Sequence, residues 1–383
     1  MLKKVFVKNY KSFKNETIID LKATKYGFLE DTHVANGIVK GVVFVGPNSS
    51  GKSNAIHAIS VLLDLLFIDR DIGLPLQMCL YTQENLELSY LFEIDQHDIL
   101  YKMIFSRDGH VVSEKLCLDN QPLLTRLGQE AKTNITETDY YHGDSIAKNV
   151  LFLRTIYFNT QFSQFPVLKK WFSFLQNSIY WDFSNKRNVA FSPMVLNKLQ
   201  DNISEEAVDR MNHFMKDSKI GYSLKYTNES MVGEYTTINL GNQKEFFVKK
   251  EGCDYWMPLY MESQGNKELI PLIPTILHIV NNDGMLILDE FNAASFHNEL
   301  EELLIKYILT NSKNSQLIFA THSTNVLKTS LLRPDQIYAV DFKGNEGSII
   351  KRFSSESPRQ SQNLEKMYLS GIFDGIPNFR EKK

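Results

Sequence analysis

Cysteine is scarce. Cys79, Cys117 and Cys253 are too few and too far apart for a disulfide framework, and no CxxC spacing offers a zinc cradle. That usage fits a reducing cytoplasm. Excess charge is missing as well: the formal net charge is −3, which excludes a polycation that coats nucleic acid. Contact with DNA or RNA would need a local basic patch or an assembly. Long apolar runs are also absent. The stretches "AISVLLDLLFI" and "ELIPLIPTILHIV" fall far short of a membrane span, and the opening "MLKKVFVKNYKSFKNE" is too polar for a signal peptide. The expectation is a cytoplasmic protein with no membrane partner. Internal repeats and low-complexity tracts are not found. What remains, 43% hydrophobic and 23% charged over 383 residues, suits two domains or one large domain with an insertion.

Residues 41–60, "GVVFVGPNSSGKSNAIHAIS", carry the first chemical signal. Gly46-Pro47-Asn48-Ser49-Ser50-Gly51-Lys52-Ser53 meets the pattern G-x-x-x-x-G-K-[ST]. The glycines let backbone N–H groups converge on phosphate oxygens. Lys52 brings a compact positive charge to the β- and γ-phosphates, and Ser53 offers a hydroxyl to Mg²⁺. Asn48, Ser49, Ser50 and Asn54 complete the expected nucleotide contacts. Such a loop needs a strand before it and a helix after it, because the helix N-terminus adds partial positive charge. Val42–Val45 fits a buried parallel strand, and Ala55, Ile56, Ile59, Leu62, Leu63 and Leu66 fit one helix face.

Along the chain, residues 3–8 and 17–22 read as strands joined by a bend at 9–13. Residues 86–94, 99–105 and 111–118 read as an antiparallel meander. Residues 119–150 are polar and read as loop or lid, and 151–158, "LFLRTIYF", as a strand. The pattern turns helical over 163–220, and strands return at 222–226, 235–240 and 245–249. A helix is expected over 266–280, where Pro271 and Pro274 are placed to kink or divide it. Strand 285–288, helix 297–310, strand 316–320, helix 323–330 and strand 336–341 follow, then a polar tail with a helical middle.

The later segments supply partners for the loop. Met285–Leu288 forms a buried strand that delivers Asp289 and Glu290 at its end. Asp289 can hold hydrated Mg²⁺, and Glu290 can orient the attacking water or accept its proton. Read alone, the pair is equally a solvated acidic turn. His322 lies just past the next strand, placed to donate to a γ-phosphate or sense its loss; alone, it reads as part of a helix cap. Ser263-Gln264-Gly265 precedes an apolar helix and forms an anion-binding end or an ordinary cap. A second anion-binding end, beyond the first cradle, invites a dimer in which Ser263 of one copy closes over the nucleotide of the other.

This order of elements resembles the ABC-type ATPase heads of the SMC, RecF and OLD group, most closely the stand-alone bacterial ATPases of abortive-infection and RloA type. Gly46–Ser53 matches the Walker A loop, Ser263-Gln264-Gly265-Asn266 sits at the signature, Asp289-Glu290 at Walker B, and His322 at the switch histidine. "FVKNYKSFKNETIIDL" looks like the family's opening strand pair, with Lys11 as its basic, nucleotide-binding residue, and "YLSGIFDGIPNF" like its closing segment. The signature departs from the usual Ser-Gly-Gly at Gln264. Gln83, Gln161 and Gln164 are the candidates for the family's Q-loop glutamine. The resemblance implies an α/β fold: a P-loop NTPase head with a mixed parallel core sheet, an antiparallel meander and a partly helical insertion. Its parts would be 1–160 and 246–345 for the head, 161–245 for the insertion and 346–383 for a tail.

The same resemblance implies ATP and Mg²⁺ as cofactors and a homodimer, or a higher oligomer, closed through ATP. No counterpart of the SMC coiled coil or of the OLD Toprim nuclease domain is expected in this sequence. The expected role is a regulatory ATPase acting through a separate effector, a nuclease or RloB-like protein, in bacterial defence against phage. An alternative is a RecF-like repair ATPase that binds DNA. For that, Lys169, Lys170, Lys186 and Arg187 lie near Trp171, Phe172, Tyr180 and Trp181, which either stack on bases or form a small core. A transporter subunit fits the meander poorly.

Overall fold

The computed structural model describes residues 1–69, 76–79, 82–135, 146–201, 205–228, 231–232, 237–238 and 244–376. The chain opens with an antiparallel pair, β1 (Leu2–Lys8) and β2 (Thr17–Asp20), then enters β3 (Gly41–Val45) and α1 (Lys52–Phe67). A meander follows: β4 (Leu86–Ile94), β5 (His97–Phe105), β6 (Val111–Leu118), β7 (Gln121–Leu127) and β8 (Glu130–Thr133). Helices α2 (Phe152–Asn159) and α3 (Pro166–Gln176) lead to the hairpin β9 (Ile179–Asp182) and β10 (Arg187–Ala190). Next come α4 (Pro193–Asp201), α5 (Glu205–Asp217) and a small sheet of β11 (Tyr222–Thr227), β12 (Glu245–Lys250) and β13 (Met257–Pro258). The chain then runs through α6 (Gln264–Asn281), β14 (Met285–Asp289), α7 (Asn298–Asn311), β15 (Gln316–Thr321), β16 (Ile337–Phe342), β17 (Ser348–Arg352) and α8 (Leu364–Leu369).

Two seven-stranded sheets result. The first, β8-β7-β6-β5-β4-β1-β2, is antiparallel throughout. The second, β10-β9-β14-β15-β3-β16-β17, has a parallel centre with an antiparallel strand at each edge. Its central strands are apolar on both faces because both are covered. Val42 and Phe44 enter the core that holds α1 and the meander, while Val43 and Val45 enter the core of α6 and α7. Met285 and Ile287 divide from Leu286 and Leu288 in the same way. All six helix positions expected to be apolar, from Ala55 to Leu66, are buried in the first core.

Several elements differ from the sequence-based expectation, each for a local reason. Residues 119–150 are not simply a loop, since β7 and β8 extend the meander; 136–145 lie outside the described residues. Asp119 and Asn120 both take positive φ, 49° and 66°, which matches a two-residue hairpin turn. Residues 151–158 are not a strand but helix α2, despite their aromatic and β-branched content. Glu114 on β6 decides this. Its carboxylate accepts from the Phe152 and Leu153 N–H groups, each at 2.8 Å, and so satisfies the helix N-terminus. Within the expected helical region 163–220, residues 179–182 and 187–190 are strands of the core sheet. The expected helix over 323–330 is replaced by turns: Thr321 Oγ1 accepts from the Ser323 N–H at 3.0 Å, a side-chain bond that competes with helix formation. Part of the expected strand 235–240 lies outside the described residues. One helix, α6, passes through both Pro271 and Pro274.

Glu114 also accepts from the Tyr101 hydroxyl at 2.7 Å, and its Oε2 lies 4.0 Å from Arg126, both side chains being fully buried. Replacing it leaves the Tyr101 hydroxyl and two helix N–H groups without their acceptor, and the buried arginine without its counter-charge. Glu114→Ala should lower unfolding stability by roughly 3–5 kcal/mol. Urea denaturation of the purified chain measures this, and a loss under about 1 kcal/mol would contradict the role given to the carboxylate.

Candidate phosphate and metal site

β3 is buried along its whole length and ends in the glycine loop, which turns directly into α1. Two glycines are required by geometry. A Cβ on Gly46 would lie 2.3 Å from the Val340 carbonyl oxygen. Gly51 has φ +108°, and a Cβ there would meet Ser348 Oγ at 2.3 Å. Asn48 and Ser49 are exposed at the loop tip, and Ser49 takes a positive φ of 62°. Ser50 Oγ is buried without a hydrogen-bond partner. Lys52 is buried, with Nζ donating to the Pro47 carbonyl at 2.8 Å. Burial pushes its ammonium down to about 8, opposed by the charges of Glu290 and Asp289.

The sheet brings distant segments to this loop. β15 lies between β3 and β14 and runs parallel to both. All three strands therefore end on one edge. There the Ser53 hydroxyl donates to Asp289 Oδ1 at 2.9 Å, across 236 residues of chain. Glu290 follows in a left-handed conformation, φ 51°, and its carboxylate accepts from the Ser184 hydroxyl. His322, beyond β15, hydrogen-bonds the Gly46 backbone and lies within the fields of Lys52 and Glu290. Burial, with the Lys52 charge behind it, lowers its pKa. The His322 N–H donates to Asn292 Oδ1 at 3.0 Å, and Thr321 Oγ1 donates to the same oxygen at 3.3 Å.

A hydroxyl and a buried carboxylate 2.9 Å apart are hard oxygen donors suited to Mg²⁺. Among the described residues no group of three or more His, Cys, Asp or Glu forms a metal cage. This donor set therefore fits a cation completed by phosphate oxygens and water. The unpartnered Ser50 hydroxyl adds a polar atom that the chain itself leaves unsatisfied.

Other expected residues have different surroundings. Asn54 commits its amide to Ser12 Oγ at 2.6 Å, while Ser348 Oγ donates to the Ser50 carbonyl and lies 2.7 Å from Ser12 Oγ. This cluster ties the β1–β2 bend to the loop. Lys11 Nζ meets His57 Nδ1, behind Asp289. Ser263 caps α6 through the Asn266 N–H at 3.4 Å, and a Cβ on Gly265 would meet the Ser295 carbonyl oxygen at 2.8 Å. No hydrogen bond joins Ser263 or Gly265 to the glycine loop among the described residues. Gln83, Gln161 and Gln164 do not lie on a strand bordering β14. Trp171, Phe172, Tyr180 and Trp181 are buried in the core and offer no face for stacking on bases.

Sequence reasoning missed Asp182, Ser184, His57 and Tyr180. Asp182 stands beside Asp289 in the parallel register of β9 and β14, and accepts from Asn185 N and Nδ2 at 2.9 and 2.7 Å. "IYWD" is too short, and too closely flanked by helical pattern, to announce a core strand. Only the Asp at its end, matching the Asp that ends β14, hinted at the pairing.

Strand, glycine loop and helix, with a carboxylate delivered by a neighbouring parallel strand, define a P-loop nucleotide-binding head. The family described as "AAA domain, putative AbiEii toxin, Type IV TA system" matches residues 42–328, and the chain belongs to that family. Among solved structures it is similar to the SMC head domain from Thermotoga maritima: 17% identity, 92% of this chain and 98% of that chain covered, TM-score 0.50. An Smc head with an extended coiled coil, bound to the C-terminal domain of ScpA and derived from Pyrococcus furiosus, is 16% identical, with 97% and 99% covered and a TM-score of 0.46. No curated protein matches the chain. The fold is that of an ABC-type ATPase head of the SMC and RecF group. No helix among the described residues is long and apolar enough to cross a membrane.

Burial raises the Asp289 carboxyl from 3.8 to about 6; Ser53 opposes this, and Asp182 and Glu290 add to it. The folded chain therefore holds this proton more tightly than the unfolded chain. Asp289 favours the fold at low pH, and that contribution is lost as pH rises through about 6. A bound cation prefers the ionised form and competes with the proton. Mg²⁺-supported nucleotide affinity should thus fall as pH drops from about 7 to about 5. Binding titrations with Mg²⁺ and with EDTA at each pH check this, and a flat Mg²⁺ dependence would contradict it.

Proposed function

We propose that this chain is a Mg²⁺-dependent ATPase whose heads close in pairs over two ATP molecules and switch a separate effector. The observation that carries the reading is the Ser53–Asp289 hydrogen bond, with Lys52, Glu290 and His322 around it. In this reading Lys52 and the loop N–H groups hold the β- and γ-phosphates. Ser53 and Asp289 hold Mg²⁺, which when bound neutralises charge developing on the phosphates. Ser184 steadies Glu290, which orients the attacking water and takes its proton. His322, neutral by burial and by Lys52, turns the ring N–H that bonds the Gly46 backbone onto the γ-phosphate.

Ser263 is the contact with the second nucleotide. It caps an apolar helix whose N-terminus suits an anion, and it makes no bond to its own chain's loop. Loss of the γ-phosphate removes the contact that holds the pair closed. The family description, a putative toxin of a toxin–antitoxin system, supports a role in abortive infection. The effector is a nuclease or RloB-like protein in bacterial anti-phage defence, and its identity can be read from what co-purifies with the chain.

Lys52→Ala should abolish nucleotide binding; unchanged ATP affinity and turnover would reject the site. Glu290→Gln should bind ATP, hydrolyse it at least about 100-fold more slowly, and run as a dimer in gel filtration with ATP and Mg²⁺. A strictly monomeric Glu290→Gln would reject paired closure. Ser263→Arg should bind ATP in the isolated subunit yet fail to pair or turn over. A wild-type hydrolysis rate in that variant would remove Ser263 from the interface.

A further inference from the structure

A half-buried polar relay lies behind the Asp289 carboxylate, and none of the roles above uses its Lys11, His57 or Tyr180. Lys11 comes from the β1–β2 bend, His57 from α1, Tyr180 from β9 and Asp289 from β14. Lys11 Nζ hydrogen-bonds His57 Nδ1. His57 Nε2 lies 3.1 Å from the Tyr180 hydroxyl and 3.7 Å from Asp289 Oδ2. An ammonium has only N–H donors, so Nδ1 must accept, and the proton of the neutral ring sits on Nε2. That N–H faces the tyrosine oxygen and Asp289 Oδ2. The other carboxylate oxygen, Oδ1, takes the Ser53 hydroxyl. The two oxygens of Asp289 thus face separate partners, Ser53 and His57, one turn apart on α1.

We propose that His57 is a positioning residue for the bound cation: Lys11 fixes its tautomer, and its Nε2–H, which bonds the Tyr180 hydroxyl, sets the positive end of its dipole 3.7 Å from Asp289 Oδ2 so that Oδ1 and Ser53 Oγ face Mg²⁺ together. The inference rests on the Mg²⁺–nucleotide reading above. It gives Lys11 a task other than touching nucleotide, and it explains why a polar ring occupies a half-buried position on α1. Second-sphere partners of this kind typically change metal affinity by about 10–100-fold. Tyr180 shares the same N–H and carries the field of Asp289, which together with burial pushes its hydroxyl pKa well up and keeps it protonated.

The test uses the full-length chain and a fluorescent ATP analogue, titrated with Mg²⁺ and with EDTA, in His57→Leu, His57→Asn, His57→Gln and Lys11→Met. A glutamine amide nitrogen reaches the Nε2 position; an asparagine amide reaches only Nδ1. His57→Leu and His57→Asn should lose about 10-fold or more of the Mg²⁺ enhancement. His57→Gln should stay close to wild type, and Lys11→Met should fall between. Full Mg²⁺ enhancement in His57→Leu, or equal losses in His57→Gln and His57→Asn, would overturn the proposal, because the role is given to the Nε2 position, which only the glutamine amide reaches. If His57→Leu does not fold, the comparison of the two amides still decides. Failure of the wild-type chain to bind the analogue with Mg²⁺ would instead overturn the site reading and this inference with it.

Discussion

One hydrogen bond, from the Ser53 hydroxyl to Asp289 Oδ1, joins residues 236 positions apart and gives the molecule its chemical centre. It exists because β15 lies between β3 and β14 in parallel register, so that three strands end on one edge. Parallel strands expose their carboxyl ends together, and the helix after the first adds its N-terminus to the same edge. Everything assigned to this site depends on that arrangement. Lys52 and His322 owe their neighbours to it, and so does the burial that raises the Asp289 pKa.

Burial governs the electrostatics here. Lys52 and His322 are lowered, and Asp289 is raised, each chiefly by loss of water. A site that destabilises its own charges gains when opposite charges arrive. Phosphates answer the lysine, and a cation answers the aspartate. The Lys11–His57–Tyr180 relay extends this logic one layer back, where a neutral ring can orient a carboxylate without adding charge.

The legible parts of the sequence were those with local chemistry. Gly46–Ser53 carries its geometry in its residue types, and Asp289-Glu290 announced itself by ending an apolar run. The meander strands from 86 to 118 alternate plainly and lie where expected. The misread parts are set by tertiary contacts. "LFLRTIYF" has strand-like content, yet the Glu114 carboxylate satisfies its first N–H groups and makes it a helix. "IYWD" sits amid helices, and only its pairing with β14 makes it a core strand. His57, Tyr180 and Ser184 belong to no motif. Their partners come from other elements, so spacing in one dimension does not reveal them.

The central claim is that Ser53 and Asp289 act together on one Mg²⁺-bound triphosphate. A double-mutant cycle with Ser53→Ala, Asp289→Asn and the pair, read as ATP affinity, tests it most directly. With Mg²⁺ the two losses should be non-additive by about 1 kcal/mol or more, and in EDTA the coupling should vanish. Additive losses in Mg²⁺, or the same coupling in EDTA, would contradict a shared cation.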